Sequence, residues 1–356
     1  MPLTGICAKI TKRISAAAAM LAVCLCMLCG CAPKYREYTS FAMGSMVSAK
    51  IYAQSTEADA IFASMTDGIS ALDSHISATD PDSDIYRLNS GASESIDPMT
   101  ADFTEKAIEV CKRCGGAADI TLGAATELWG FSSGEPSLPD DAALQTALSS
   151  KGLDSVKIDK TAGKISLKDG QKLDLGAVGK GAACDKAYEA LASHDCSAVV
   201  TVGGSVLLYG SAPDGSWTVG IRDPFRTAND YFAVLRFSSV NADTPVFLST
   251  SGNYEKTFEE DGKKYHHILD PETGFPVENG LAAVTVKAGT GLEADALSTA
   301  AFVCGLNEKA LDMLKSFNAE AVFVFENGRV FVTEGIREST DILSDGFTFI
   351  YDYDAE

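Results

Sequence analysis

Short apolar runs recur in pairs, split by turn residues and set between amphipathic helices, and this pairing constrains the fold most. Residues 156–173 read as a hairpin that turns at Lys160 to Gly163, with a second turn at Asp169-Gly170. Residues 321–325 and 330–333 pair around Glu326-Asn327-Gly328. Links this short join only antiparallel neighbours. Further strands are expected at 46–53, 217–222, 231–237 and 246–250, and at 197–209, where Gly203-Gly204 breaks the apolar run. Helical spacing covers 58–76, with Ile61, Met65, Ile69 and Leu72 on one face. It recurs at 100–114, 122–129, 140–149, 180–193, 299–305 and 307–317, and a short helix follows Ser83. The expected class is therefore α+β with mostly antiparallel sheets, not a doubly wound parallel sheet.

The densest chemistry lies in Tyr265-His266-His267-Ile268-Leu269-Asp270-Pro271-Glu272-Thr273-Gly274-Phe275-Pro276. Pro271 and Pro276 bar a helix, and Gly274 permits a left-handed residue, so the segment reads as a strand end that turns sharply. Such a turn can hold an imidazole at the edge of a cleft. Taken alone, it reads equally well as a solvated turn.

Residues 1–30 have the order of a targeting segment. Lys9, Lys12 and Arg13 precede an apolar run too short to span a bilayer comfortably. The run ends in Leu28-Cys29-Gly30-Cys31, which resembles a bacterial lipobox, although Cys29 is an unusual residue within it. In that reading Cys31 is diacylated, residues 31–40 are a tether, and 41–350 form one catalytic domain held outside the cytoplasm on a lipid anchor. Loss of three basic and no acidic residues with the leader takes the formal charge from −20 to −23. A surface so acidic repels nucleic-acid backbones and anionic lipid, so no nucleic-acid partner is expected and attachment rests on the lipid. Outside the leader and Cys31, the remaining cysteines are 111, 114, 184, 196 and 304; no histidine spacing makes them a zinc site, and they read as small buried apolar residues.

Two further groups could carry chemistry. Asp295 and Thr299, four apart, share a face if helical and offer hard oxygen donors suited to Mg²⁺; a helix cap is the plainer reading. Asp174-Leu-Gly-Ala-Val-Gly-Lys-Gly has glycines that let backbone N–H groups approach a phosphate, yet it lacks Walker spacing and reads alone as a glycine-rich turn.

These segments together resemble the ApbE family, the FAD:protein FMN transferases. The segment at 266–276 is similar to its His-Ile-x-Asp-Pro-x-Thr-Gly-x-Pro signature, and 250–255 to its Ser-Gly-Asp-Tyr-Glu. The block at 173–181 resembles its Asp-Leu-Gly-Gly-x-x-Lys-Gly, and 293–300 its Ala-Asp-Ala-x-x-Thr. Residues 42–45, 118–131 and 202–204 complete the set in family order. The resemblance implies a single body of two interleaved α+β parts with a flavin site between them. It implies FAD as substrate, contacted by Met43, Ala117, Ala118, Asp119, Asp174, Lys180, Gly203, Gly204 and Ile268. It implies Mg²⁺ on Ala177, Asp295 and Thr299, and His267 as general base, since the base directly precedes isoleucine. An unperturbed histidine, pKa ~6.5, is half poised at neutral pH. FMN would pass to a threonine or serine hydroxyl of an acceptor flavoprotein, with AMP released. An FAD pyrophosphatase and a flavin-binding surface lipoprotein are the rival readings. Two positions depart from the family pattern: Thr79 stands where a ring-stacking aromatic is common, and Ser205 where Asp or Asn is usual.

Overall fold

The computed structural model describes residues 35–132, 134–227 and 230–351; the leader and Cys31 lie outside the described residues. A nine-stranded sheet forms the spine. Its strands run, in spatial order, Arg36–Ala42, Ser45–Tyr52, Ser197–Val202, Ser205–Tyr209, Val246–Gly252, Leu281–Ala288, Glu320–Phe325, Arg329–Val332 and Thr348–Ile350. Every neighbouring pair is antiparallel except the last. Residues 53–196 leave the sheet and return to pair Val47 with Val202, so the parts of the fold interleave. The α+β class with mostly antiparallel sheets is as the sequence predicts.

Alternation along each strand separates two cores. Ala321 and Phe323 face one cluster, with residues of helices Ser55–Ile76, Gly176–Leu191 and Gly291–Cys304. Val322 and Val324 face another, closed by Trp217, Phe232 and Leu235 of the small sheet that pairs Trp217–Arg222, Tyr231–Phe237 and Thr340–Ile342. A third cluster packs Trp129, Leu144, Leu148 and Leu269. The five cysteines among the described residues are free, and Cys111, Cys114 and Cys184 are buried.

Local chemistry accounts for most element ends. Ser83, Asp97, Asp140, Thr290 and Asn307 each accept a backbone N–H at a helix start. Several expectations are corrected. Strand Arg36–Ala42 occupies residues assigned to the tether, where it pairs along its length with Ser45–Tyr52. Gly203-Gly204 is a two-residue hairpin turn, not a bulge within one strand: Val202 pairs with Ser205, and Gly203 has φ +54°. The 173–181 block is not a glycine turn before a helix, because the helix begins at Gly176. The helix expected from 299 begins at Gly291, so Asp295 sits in its second turn and Thr290 does the capping.

Candidate functional site

Between the helices and the sheet lies a cleft of about 300 Å³. The structure brings to it Met43, Ala117, Ala118, Asp119, Asp174, Ala177, Lys180, Gly203, Gly204, His267, Ile268, Asp295 and Thr299. Their span of more than two hundred residues is closed by the sheet order described above. A neighbouring groove meets the cleft at Thr126, Ser132 and Asp174 and holds both Thr79 and Tyr86.

The two adjacent histidines part company. His266 ends strand Lys263–His266 and is 7% exposed. Its Nε2 donates to the Val277 carbonyl (3.0 Å), and its Nδ1 is 3.3 Å from the Ile268 N–H, which donates to it. With its ring edge-on to Phe302, it has no nitrogen to spare. His267 is half-buried and lines the cleft. Its Nδ1 lies 3.1 Å from the Glu255 carbonyl oxygen, which can only accept, so the proton sits on Nδ1 and Nε2 keeps its lone pair. Burial, then the ammonium groups of Lys256 and Lys180, push its pKa down to about 3. The expectation of an unperturbed, half-protonated histidine is thus corrected: the imidazole is neutral throughout the physiological range.

The turn behind His267 is tied by hydrogen bonds within itself and to Trp129. Gly274 has φ +70°, its N–H returns to the Asp270 carbonyl (2.8 Å), and the Trp129 indole donates to the Gly274 carbonyl (2.7 Å). Phe131, Phe258, Tyr265 and Phe275 surround that indole.

Asp295 is 3% exposed. Its Oδ2 accepts the Gly181 N–H (2.9 Å) and its Oδ1 the Ser249 hydroxyl (2.8 Å). The glycines explain how helix Gly176–Leu191 comes so near. A Cβ on Gly181 would lie 2.0 Å from the Gly291 carbonyl oxygen, and one on Gly291 equally near that of Gly181. Glycine here serves helix–helix approach, which brings Ala177 to the same cleft as Asp295 and Thr299. Among the described residues no three His, Cys, Asp or Glu side chains gather within reach of one metal. A set with one carboxylate, a hydroxyl and a backbone carbonyl still fits Mg²⁺, which keeps waters and takes phosphate oxygens. Asp295 forms no ion pair with a described cationic side chain, which leaves its charge for such an ion.

Asp174 is tied locally: Oδ1 accepts from Gly176 N and Oδ2 from the Thr126 hydroxyl, both at 2.8 Å. Asp119 likewise holds the Thr121 N–H (2.8 Å) and hydroxyl (2.6 Å). Lys180 and Lys256 line the cleft without an ion-pair partner among the described residues. Sequence reasoning missed Lys256, Thr126, Phe131 and Ser249. Lys256 and Ser249 flank the 250–255 block, and Thr126 and Phe131 lie within the 118–131 block, so the blocks marked their neighbourhood without marking them as cleft or supporting residues.

The ApbE family model matches residues 43–323. The chain is 32% identical over 359 residues to the FAD:protein FMN transferase of Treponema pallidum (strain Nichols), covering 92% of this chain and 96% of that one. Its fold is similar to the crystal structure of the ApbE protein from Thermotoga maritima MSB8, with TM-score 0.78 and 30% identity over 86% of this chain and 99% of that one. It is also similar to the apo flavinyl transferase ApbE of Pseudomonas stutzeri, with TM-score 0.72 and 27% identity over 86% and 96% of the two chains.

Proposed function

The chain belongs to the ApbE family, and from that premise we propose that it is an FAD:protein FMN transferase whose acceptor is a threonine or serine hydroxyl of a second protein. The observation that carries this reading is the state of His267. It is neutral, with its proton fixed on Nδ1 by the Glu255 carbonyl and a free lone pair on Nε2 in the cleft. That nitrogen takes the proton of the acceptor hydroxyl as its oxygen bonds to the FMN phosphorus. The bond from that phosphorus to the bridging oxygen of the pyrophosphate breaks, and AMP leaves with the bridging oxygen.

Lys180 and Lys256 supply positive charge beside the same imidazole, where the phosphates of FAD would lie. They also raise the cost of protonating His267 before substrate arrives. Asp295, Thr299 and the Ala177 carbonyl would hold Mg²⁺. When bound there, the ion would neutralise charge developing on the pyrophosphate. The cleft's walls at Met43, Phe131 and the Gly203-Gly204 turn offer apolar and backbone surface to a flat ring. We further infer that Cys31 carries the lipid that anchors the enzyme outside the cytoplasm.

The test incubates the purified protein with FAD, Mg²⁺ and candidate acceptor domains and measures acceptor mass. A gain equal to FMN with one AMP per transfer is expected, and Asp295→Asn should remove most of it. AMP and FMN without modified acceptor would make the protein a pyrophosphatase, and undiminished transfer in chelator would remove the metal.

A further inference from the structure

We propose that Ser249, backed by Ser205, is the positioning residue that fixes the Asp295 carboxylate for its ion. The inference rests on the Mg²⁺ reading above and adds what holds the ligand in place. Ser205, Ser249 and Asp295 form a buried line: the two serines are fully buried, their Oγ atoms are 3.0 Å apart, and Ser249 Oγ is 2.8 Å from Asp295 Oδ1. The direction of the line follows from proton count. An ionised carboxylate only accepts, so Ser249 spends its single hydroxyl proton on Asp295, and Ser205 must donate to Ser249.

On the other side, the Gly181 N–H fixes Oδ2 (2.9 Å). The carboxylate is thus gripped from the sheet and from the neighbouring helix, and rotation about its last bond would break one contact or the other. Each oxygen keeps lone-pair capacity for an ion on the cleft side. Strand Val246–Gly252 repeats the device two residues on, where side chains return to the same face. Ser251 Oγ lies 2.8 Å from Ser298 Oγ and 3.1 Å from Thr299 Oγ1. One strand therefore presents Ser249 to Asp295 and Ser251 to Thr299. Ser205 begins the strand that leaves the Gly203-Gly204 turn, so the line also ties the carboxylate to the cleft wall opposite its helix.

The experiment measures Mn²⁺ binding by the electron paramagnetic resonance of the free ion, on the full chain with FAD and no acceptor. Losing a partner that orients a ligand weakens metal affinity about 10- to 100-fold. Ser249→Ala should raise the Mn²⁺ Kd at least about tenfold and the apparent KM for Mg²⁺ with it, leaving kcat at saturating Mg²⁺ within about twofold. Its melting temperature in chelator should stay near the parent's. Ser205→Ala should shift the Kd in the same direction by less. Ser249→Cys, close in size but a weak donor, should follow Ser249→Ala; parent-like binding there would mean that packing, not the hydrogen bond, matters, and would overturn the proposal. Parent-like binding by Ser249→Ala would also overturn it. If Ser249→Ala fails to fold, Ser205→Ala and Ser249→Cys decide by the same measure. A parent that binds no Mn²⁺ removes the metal reading and the proposal together, whereas a parent that binds with indifferent variants removes the proposal alone.

Discussion

At the residue scale, two adjacent histidines of one sequence type have opposite environments. Neighbours on an extended segment point to opposite sides, so only one could face the cleft. His267→Ala should lower FMN transfer by about 10²–10⁴-fold with FAD binding retained. The pH profile follows from the sign of its shift. With the folded pKa pushed down to about 3, the base form is complete above that value and lost only as pH falls through it. Since kcat/KM reports the free enzyme, its profile should be level from about pH 5 to 8. A limb centred near 6.5 that vanishes in His267→Ala would show that the imidazole is ordinary. His266→Ala should instead lower the melting temperature, because it strips two buried partners. Met43 is a second case. It has φ +55° beside Gly44 at φ +63°, the paired left-handed geometry of a hairpin turn that favours asparagine at its place. Its N–H is held by Asp73 (2.7 Å) and its side chain lines the cleft. Strain kept at such a position points to use of the side chain. Met43→Asn should stabilise the fold by about 1 kcal/mol, yet weaken FAD binding; a calorimetric titration beside a melt checks both.

At the element scale, what the sequence concealed has a common cause. Helix Gly291–Cys304 is buried on nearly every side, so it lacks the one-sided apolar stripe that marks a helix, and its first two turns went unread. Strand Leu281–Ala288 is buried on both faces and has no alternation to detect. The hairpin of Thr257–Glu260 with Lys263–His266 is the opposite case, mostly polar and exposed, and only its end in the segment from Tyr265 is legible as a strand. Amphipathic elements such as Ser55–Ile76 and Pro98–Arg113 were legible because each buries one face. The glycines at 181 and 291 were visible, but their purpose was not. Gly181→Ala would drive a methyl group into the Gly291 carbonyl. The two nearest atoms are Gly291 backbone and the third is the Asp295 Cβ at 2.6 Å, so the helices must part, at a cost of about 3 kcal/mol, and the stabilisation on adding Mg²⁺ should shrink as Asp295 loses the Gly181 N–H. Urea unfolding with and without Mg²⁺ measures the two effects; an unchanged Mg²⁺ response would mean that the helix contact does not set the ligand geometry.

At the scale of the whole molecule, the order of strands in the sheet decides which distant segments meet. The edge strand Arg36–Ala42 starts soon after Cys31, so a lipid on that cysteine would hold the domain close to the membrane. Among the described residues no helix is long and apolar enough to cross one. If the Cys31 lipid is the anchor, Cys31→Ala should release the protein from the membrane fraction, and retention of the variant there would refute the anchor. The sequence by itself determined the residue types that chemistry needs and the motifs that carry them: the histidine segment, the Asp295 and Thr299 pair, the 173–181 block and the antiparallel class. These are local, fixed by turn residues, periodicity and spacing. The resemblance pointed to His267 as the base, but only the tertiary structure decided why His266 turns inward instead, why Gly181 must be glycine, and that Ser205 and Ser249 stand behind Asp295. Each of those depends on burial and on contacts between segments distant in sequence, where desolvation sets a proton's place and close packing sets a side chain's partners.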